Sequence, residues 1–243
     1  MMLDPLYLVF ALVGLAISGV ATMGVKAAFA KYSQIPNRRG LTGAEAARLM
    51  LHREGLTGIA IEPVKGWLSD HYSPSEKTIR LSPEVYNGRS IAAVSVACHE
   101  AGHALQHQQK YAPLALRSLS VPLASIGGGL GPIMCMIGIM MGAGEHAAAG
   151  TDVGLWIVKA GLVLFGAVAV FQLITLPVEF NASRRAKAAM AEDGILTGPE
   201  EASGADAMLR AAAMTYVAAL VTTLLWLLYW AYRAGLLGGR RRG

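Results

Sequence analysis

The segment CHEAGHALQHQ, Cys98 to Gln108, holds three histidines at four-residue intervals, His99, His103 and His107, with Glu100 directly after the first. On a helix, residues four apart share a face, so His99 and His103 can offer two imidazoles to one tetrahedral zinc. Glu100 is turned by about 100° from His99 and stands beside that face. There a carboxylate can take a proton from water that the metal has made acidic at neutral pH. H-E-x-x-H on a helix carries this meaning, and metal storage alone has no use for Glu100. His107 lies about 12 Å along the axis from His99. Zinc–nitrogen bonds are about 2 Å, and ALQH offers no glycine at which the helix could break, so His107 is not expected as a ligand. It caps the helix end or lines the cleft. The motif is half a site, and a third ligand must come from elsewhere.

Composition says where to look. Of 243 residues, 54% are hydrophobic and 15% charged, against roughly 25% charged in a soluble domain. Four long apolar runs follow, at residues 6–25, 119–144, 154–178 and 211–232, each near the ~20 residues that a membrane-spanning helix needs. Lys159 near the start of the third run reads as a snorkelling side chain. The leader MMLDP has Asp4 and no Lys or Arg, so the first run reads as a retained anchor with its N-terminus outside.

The net charge of +5 is a topology signal, and no nucleic-acid-reading motif accompanies it. Residues 27–118 carry many Lys and Arg, and 179–210 carry Arg184, Arg185, Lys187 and Arg210. The loop EHAAAGTD has Glu145 and Asp152 but no base. The positive-inside rule places the first two segments in the cytoplasm and the loop outside. The basic tail GGRRRG disagrees: either the fourth run does not fully cross, or the earlier loops dominate. Cys98 and Cys135 read as two buried small residues in a reducing compartment.

Residues 27–118 also carry local folding signals. Thr42 followed by Glu45 is a capping-box pattern for a short amphipathic helix ending near Gly55. IAIEP alternates like a strand, SDHYSPSEK is turn-rich, and KTIRLS reads as a second strand. Ser82 with Pro83 starts one helix, and Ser90 caps the next, which carries the histidines. The expected fold is mainly α: about four transmembrane helices plus a small cytoplasmic α+β zincin-like insert carrying the HExxH helix. KTIRLS is expected to be an edge strand that binds substrate backbone by strand addition.

Parity locates the third ligand. Runs two and three make a round trip, returning the chain to the side of His99 and His103. Glu179, in TLPVEFNASRRA at the exit of run three, is the candidate. Gln172, Thr175 and Glu179 form one helical stripe of the kind that faces a bundle interior. The other reading pairs Glu179 with Arg184 or Arg185. His71 reads as a turn residue or one facing the cleft, His52 as a helix-surface residue, and His146 as lying on the wrong side.

GLTGAEAA, LSDHYSPSEKTIRLSPEVY, SIAAVSVACHEAGHALQH, LPVEFNASRRA and AAAMTYVAA together resemble the YugP-type neutral zinc metallopeptidases, bacterial membrane proteins, over nearly the whole chain. More distantly, HEAGH followed by E-F-N-A-S resembles the HtpX-like membrane proteases. The resemblance implies zinc held by His99, His103 and Glu179, with Glu100 as general base. Where the HtpX-like pattern has an Asp that orients a ligating histidine, this chain has Ser183, and either Ser183 or Asn181 takes that role. The function expected is an inner-membrane zinc endopeptidase that hydrolyses peptide bonds of protein substrates at the cytoplasmic face. Two rivals are a non-catalytic zinc-binding scaffold or regulator, which Glu100 argues against, and a transporter or channel. The Gly-rich second run suggests the latter, although its small residues more simply permit close helix packing.

Overall fold

The computed structural model describes residues 4–67, 69–143 and 152–237. Glu145, His146 and the tail 238–243 lie outside the described residues. The chain is mainly helical with a small sheet, in the order α1 (Pro5–Ser33), α2 (Gly43–Arg53), β1 (Ala60–Pro63), β2 (His71–Ser73), β3 (Thr78–Leu81), α3 (Pro83–Tyr86), α4 (Ile91–Gln108), α5 (Ala112–Met140), α6 (Val153–Glu192) and α7 (Pro199–Arg233). Among the described residues, α1, α5, α6 and α7 are the four helices long and apolar enough to cross a membrane. Helices α1, α6 and α7 extend past the apolar runs read from sequence, and α5 starts before its run but ends at Met140, short of the expected 144. Helix α6 in particular continues as one helix through Glu179 and on to Glu192.

The residues group into two compact units. The first comprises Met1–Gly19, Leu116–Thr175 and Tyr216–Gly243. Its helices pack closely where glycine permits. A Cβ on Gly131 would stand 2.7 Å from that of Phe165, and one on Gly161 would stand 2.9 Å from Cys135 Sγ. This is the packing role expected of the Gly-rich run. Lys159 lies over the Trp156 ring at 4.6 Å. Asp4 caps α1 by accepting from the Leu6 N–H at 3.0 Å, and its other oxygen pairs with Arg233 at 3.2 Å. The end of α7 therefore lies beside the start of α1.

The second unit comprises Val20–Ala115 and Leu176–Thr215. The Thr42 capping box forms as expected: Thr42 Oγ accepts from the Glu45 N–H, and the Glu45 carboxylate accepts from the Thr42 N–H. Ser90 Oγ caps α4 through the Ala93 N–H at 3.2 Å. Helix α4 is buried almost all round, and its alanines at 92, 93, 97, 101 and 104 let neighbours approach on every side. Its own Ile91 and Val94, and Ile79, Leu81 and Val85 of β3 and α3, are fully buried in the same core, each contributing about 1.5–3 kcal/mol of apolar burial.

The sheet order is β1-β3-β2. β3 pairs parallel with β1, Ala60 opposite Thr78, and antiparallel with β2, Tyr72 opposite Ile79. This corrects the expectation that KTIRLS is an edge strand: both of its sides are occupied, so it cannot accept another strand. The partner was concealed in SDHYSPSEK. His71–Ser73 has little strand signal of its own and becomes a strand by pairing with β3. The edges of the sheet are β1 and β2.

Candidate metal centre

Three side chains of the second unit converge. His99 and His103 come from successive turns of α4, and Glu179 comes from α6. Their donor atoms all lie within 4.8 Å of one another. Glu179 Oε2 is 3.2 Å from His99 Nε2 and 3.6 Å from His103 Nε2. Those two spacings are close to the roughly 3.4 Å that separates donors at the corners of a zinc tetrahedron with bonds near 2 Å. Glu179 is 2% exposed and His103 8%, and the His99 side chain 14%, so two of the three donors are buried and the third is partly exposed.

The outward nitrogens of both imidazoles are engaged elsewhere. His99 Nδ1 is 3.2 Å from Ser183 Oγ, and His103 Nδ1 is 2.9 Å from Gln106 Oε1. Each Nε2 is thereby turned toward the Glu179 carboxylate. Of the two alternatives for orienting a histidine, Ser183 makes the contact. It lies one turn beyond Glu179 on the same helix face. Asn181 instead accepts from Gln106 at 3.0 Å and from Arg185 Nε at 2.7 Å.

A glycine makes the meeting of the two helices possible. A Cβ on Gly102 would stand 2.6 Å from the carbonyl oxygen of Ala182 and 3.2 Å from its carbon. Gly102 lies between the two histidines and Ala182 between Glu179 and Ser183, so this near-contact sets the separation of the site's two halves.

Burial opposes a charge on His103. The hydrogen bond to Glu179 and the charges of Glu100 and Glu179 outweigh it, and the imidazole pKa rises above its ordinary value. Glu100 is buried on α4. Asp70, just before β2, has its pKa raised first by burial, against the opposing effect of bonds from Ser82, with the charge of Glu100 raising it further. Ser82 holds Asp70 with both its N–H, at 2.7 Å, and its hydroxyl. Its side chain is thus committed to Asp70 and makes no cap bond to α3.

The other described histidines fall outside the group. His107 is exposed, and its Nδ1 is 2.9 Å from the Tyr72 hydroxyl, on β2. His71 Nδ1 is 2.8 Å from the Ser69 carbonyl, and His52 is exposed on α2. Both cysteines are free and buried. Cys98 adjoins His99, but burial, with a smaller effect of Asp193, raises its pKa far up, so it offers no thiolate. Gln106 and Asp70 were missed from sequence. The readable signal for Gln106 is its i+3 spacing from His103 on the same helix. Asp70 carried none, since its partner Ser82 is twelve residues away.

Residues 7–235 match the family described as "Putative neutral zinc metallopeptidase". The chain is 44% identical over 223 residues, covering 92% of this chain and 94% of the relative, to the "Putative membrane protease YugP" of Bacillus subtilis (strain 168). No solved structure gives a significant match. The family match spans nearly the whole chain, and the chain belongs to this zinc metallopeptidase family.

Proposed function

We propose that this chain is an integral-membrane zinc peptidase that hydrolyses peptide bonds of protein substrates at the cytoplasmic face of the membrane. The observation that carries this is the three-donor group, with both Nδ1 atoms tied back and both Nε2 atoms turned inward. Two neutral imidazoles and one carboxylate suit a dication, and three protein ligands leave a fourth position open for chemistry. His99, His103 and Glu179 would hold the zinc. When bound, it supplies Lewis acidity toward a peptide carbonyl and lowers the pKa of water at the open position.

Glu100 is the general base. Its carboxylate takes a proton from the attacking water and later delivers it to the leaving amine nitrogen. Ser183 and Gln106 keep the two imidazoles in place. β2 is a sheet edge beside α4, and an extended substrate would add to it through backbone hydrogen bonds. The cytoplasmic assignment rests on the basic residues of 27–118 and 179–210.

The test uses the full chain in detergent or liposomes, with bound zinc and cleavage of a denatured or membrane protein measured together. Glu100→Gln should keep stoichiometric zinc and lose about 10²–10⁴-fold in cleavage rate. Full activity in that variant would end this mechanism. Wild-type protein that holds zinc and cleaves nothing would favour the scaffold reading. For sidedness, Arg53→Cys places a thiol at an exposed position while both native cysteines stay buried. An impermeant thiol reagent should label it only in permeabilised cells, and labelling of intact cells would put this face outside.

A further inference from the structure

Gln106 is wholly buried, one turn after His103 on α4. A buried primary amide brings two donors and an acceptor, and each needs a partner. Its Oε1 is 2.9 Å from His103 Nδ1. Its Nε2 donates to the Val178 carbonyl at 2.8 Å and to Asn181 Oδ1 at 3.0 Å. Val178 directly precedes Glu179, and Asn181 follows it by two. One side chain thus grips a histidine on one helix and both flanks of the glutamate on the other.

The direction of every bond in this chain is forced from its ends. The Val178 carbonyl can only accept. Arg185 can only donate, and it donates to Asn181 Oδ1 at 2.7 Å. Arg185 is itself held by Gln109 Oε1 and lies over the Tyr111 ring at 5.9 Å. Asn181 must therefore present its oxygen, and Gln106 must turn its NH2 toward two acceptors. The Gln106 oxygen is left facing His103, which must carry its proton on Nδ1. The Nε2 lone pair of His103 is then the one directed into the three-donor group. Rotating the Gln106 amide would set its oxygen against two others and its NH2 against the imidazole.

We propose that Gln106 is a positioning residue for the metal centre: it fixes the Nδ1–H tautomer of His103 and ties that histidine to the backbone that carries Glu179. The inference rests on the zinc reading above and names a residue through which the site is kept ready for the ion. It also accounts for a polar side chain with no exposure at all, since a buried amide left unpaired is destabilising.

The experiment has two readouts on the purified full chain loaded with zinc. Ring ¹⁵N and ¹H resonances of His103 should show a protonated, hydrogen-bonded Nδ1 and a metal-bound Nε2. Chelator competition should show Gln106→Met, of similar volume, binding zinc about 10–100-fold more weakly than wild type, with the Nδ1 proton lost to rapid exchange. Gln106→Glu should fall between them, since it keeps the acceptor for His103 and sets a second oxygen against Val178 and Asn181. Wild-type affinity in Gln106→Met with the Nδ1 signal intact overturns the proposal. So does a wild-type spectrum with zinc on Nδ1 of His103, which decides the matter even if the variants do not fold. A wild-type chain that binds no zinc would instead refute the metal reading itself.

Discussion

Gly102→Ala offers a sharp test of how the site is assembled. Glycine in a helix interior is ordinarily a liability, and alanine there should gain about 1 kcal/mol. Here the added Cβ would meet the Ala182 carbonyl oxygen at 2.6 Å, where ordinary contact begins near 3.4 Å. The obstacle is backbone within a helix, so no side chain can swing aside. The two helices must part by roughly 0.8 Å locally, and overpacking of this kind costs about 1–3 kcal/mol. The propensity gain is therefore cancelled or exceeded, and net stability should change little or fall by up to about 2 kcal/mol. Metal affinity should respond much more. Zinc sites tolerate about 0.2 Å in ligand distance, and the displaced segment carries both Glu179 and Ser183. The expected result is a folded, helical protein with a modest fall in thermal midpoint and zinc affinity reduced by at least tenfold, read by chelator competition and by circular dichroism without metal. Wild-type zinc affinity in Gly102→Ala would show that the close approach of α4 and α6 does not set the ligand geometry.

Glu179→Ala should lose zinc affinity, whereas His107→Ala should keep it. The reverse pattern, seen in equilibrium zinc binding, would return His107 to the ligand set. Zinc binding should also weaken on acidification from above the ordinary histidine range of about 6.5, because the ion must displace a proton that His103 holds more tightly than usual. The same shift has the opposite sign for the metal-free protein. A raised folded pKa adds stability below pH ~6.5 and loses it as pH rises through the folded value, so the metal-free protein should be relatively more stable at pH 6 than at pH 8. A zinc affinity independent of pH between 5 and 8 would contradict the assignment of His103 as a ligand.

What could be read from the chain was what local spacing encodes. The i,i+4 histidines, the Thr42–Glu45 cap, the Ser90 cap and the four apolar runs are all patterns within one element. The strand identity of Thr78–Leu81 belongs with them, since Ile79 and Leu81 are apolar by alternation. Its neighbours do not. Which strand lies at the edge depends on the pairing of residues 71–73 with 78–80 across a turn, and three residues with turn-former neighbours give no periodicity to detect. The orienting contacts divide in the same way. Ser183 is one helical turn from Glu179 and so could be nominated by spacing. The link from Gln106 to Val178 spans 72 residues and two apolar runs, and only the folded chain brings them together.

This division has a physical reason that bears on how the site works. HEAGH can be complete in sequence and still bind no metal well. The third donor, the separation of the two helices and the tautomer of His103 are all properties of the packing between α4 and α6. In the proposed zinc site ligand identity depends on three residues, but their poise depends on Gly102 against Ala182 and on the bonded chain from Arg185 through Asn181 to Gln106. Substitutions at those positions leave every ligand in place, so their effect should appear as lost affinity in a protein with an intact motif. A chain bearing HExxH and the later glutamate, but with a bulkier residue than glycine at the position of Gly102, should for that reason be a poor zinc binder unless α6 gives up its carbonyl contact there.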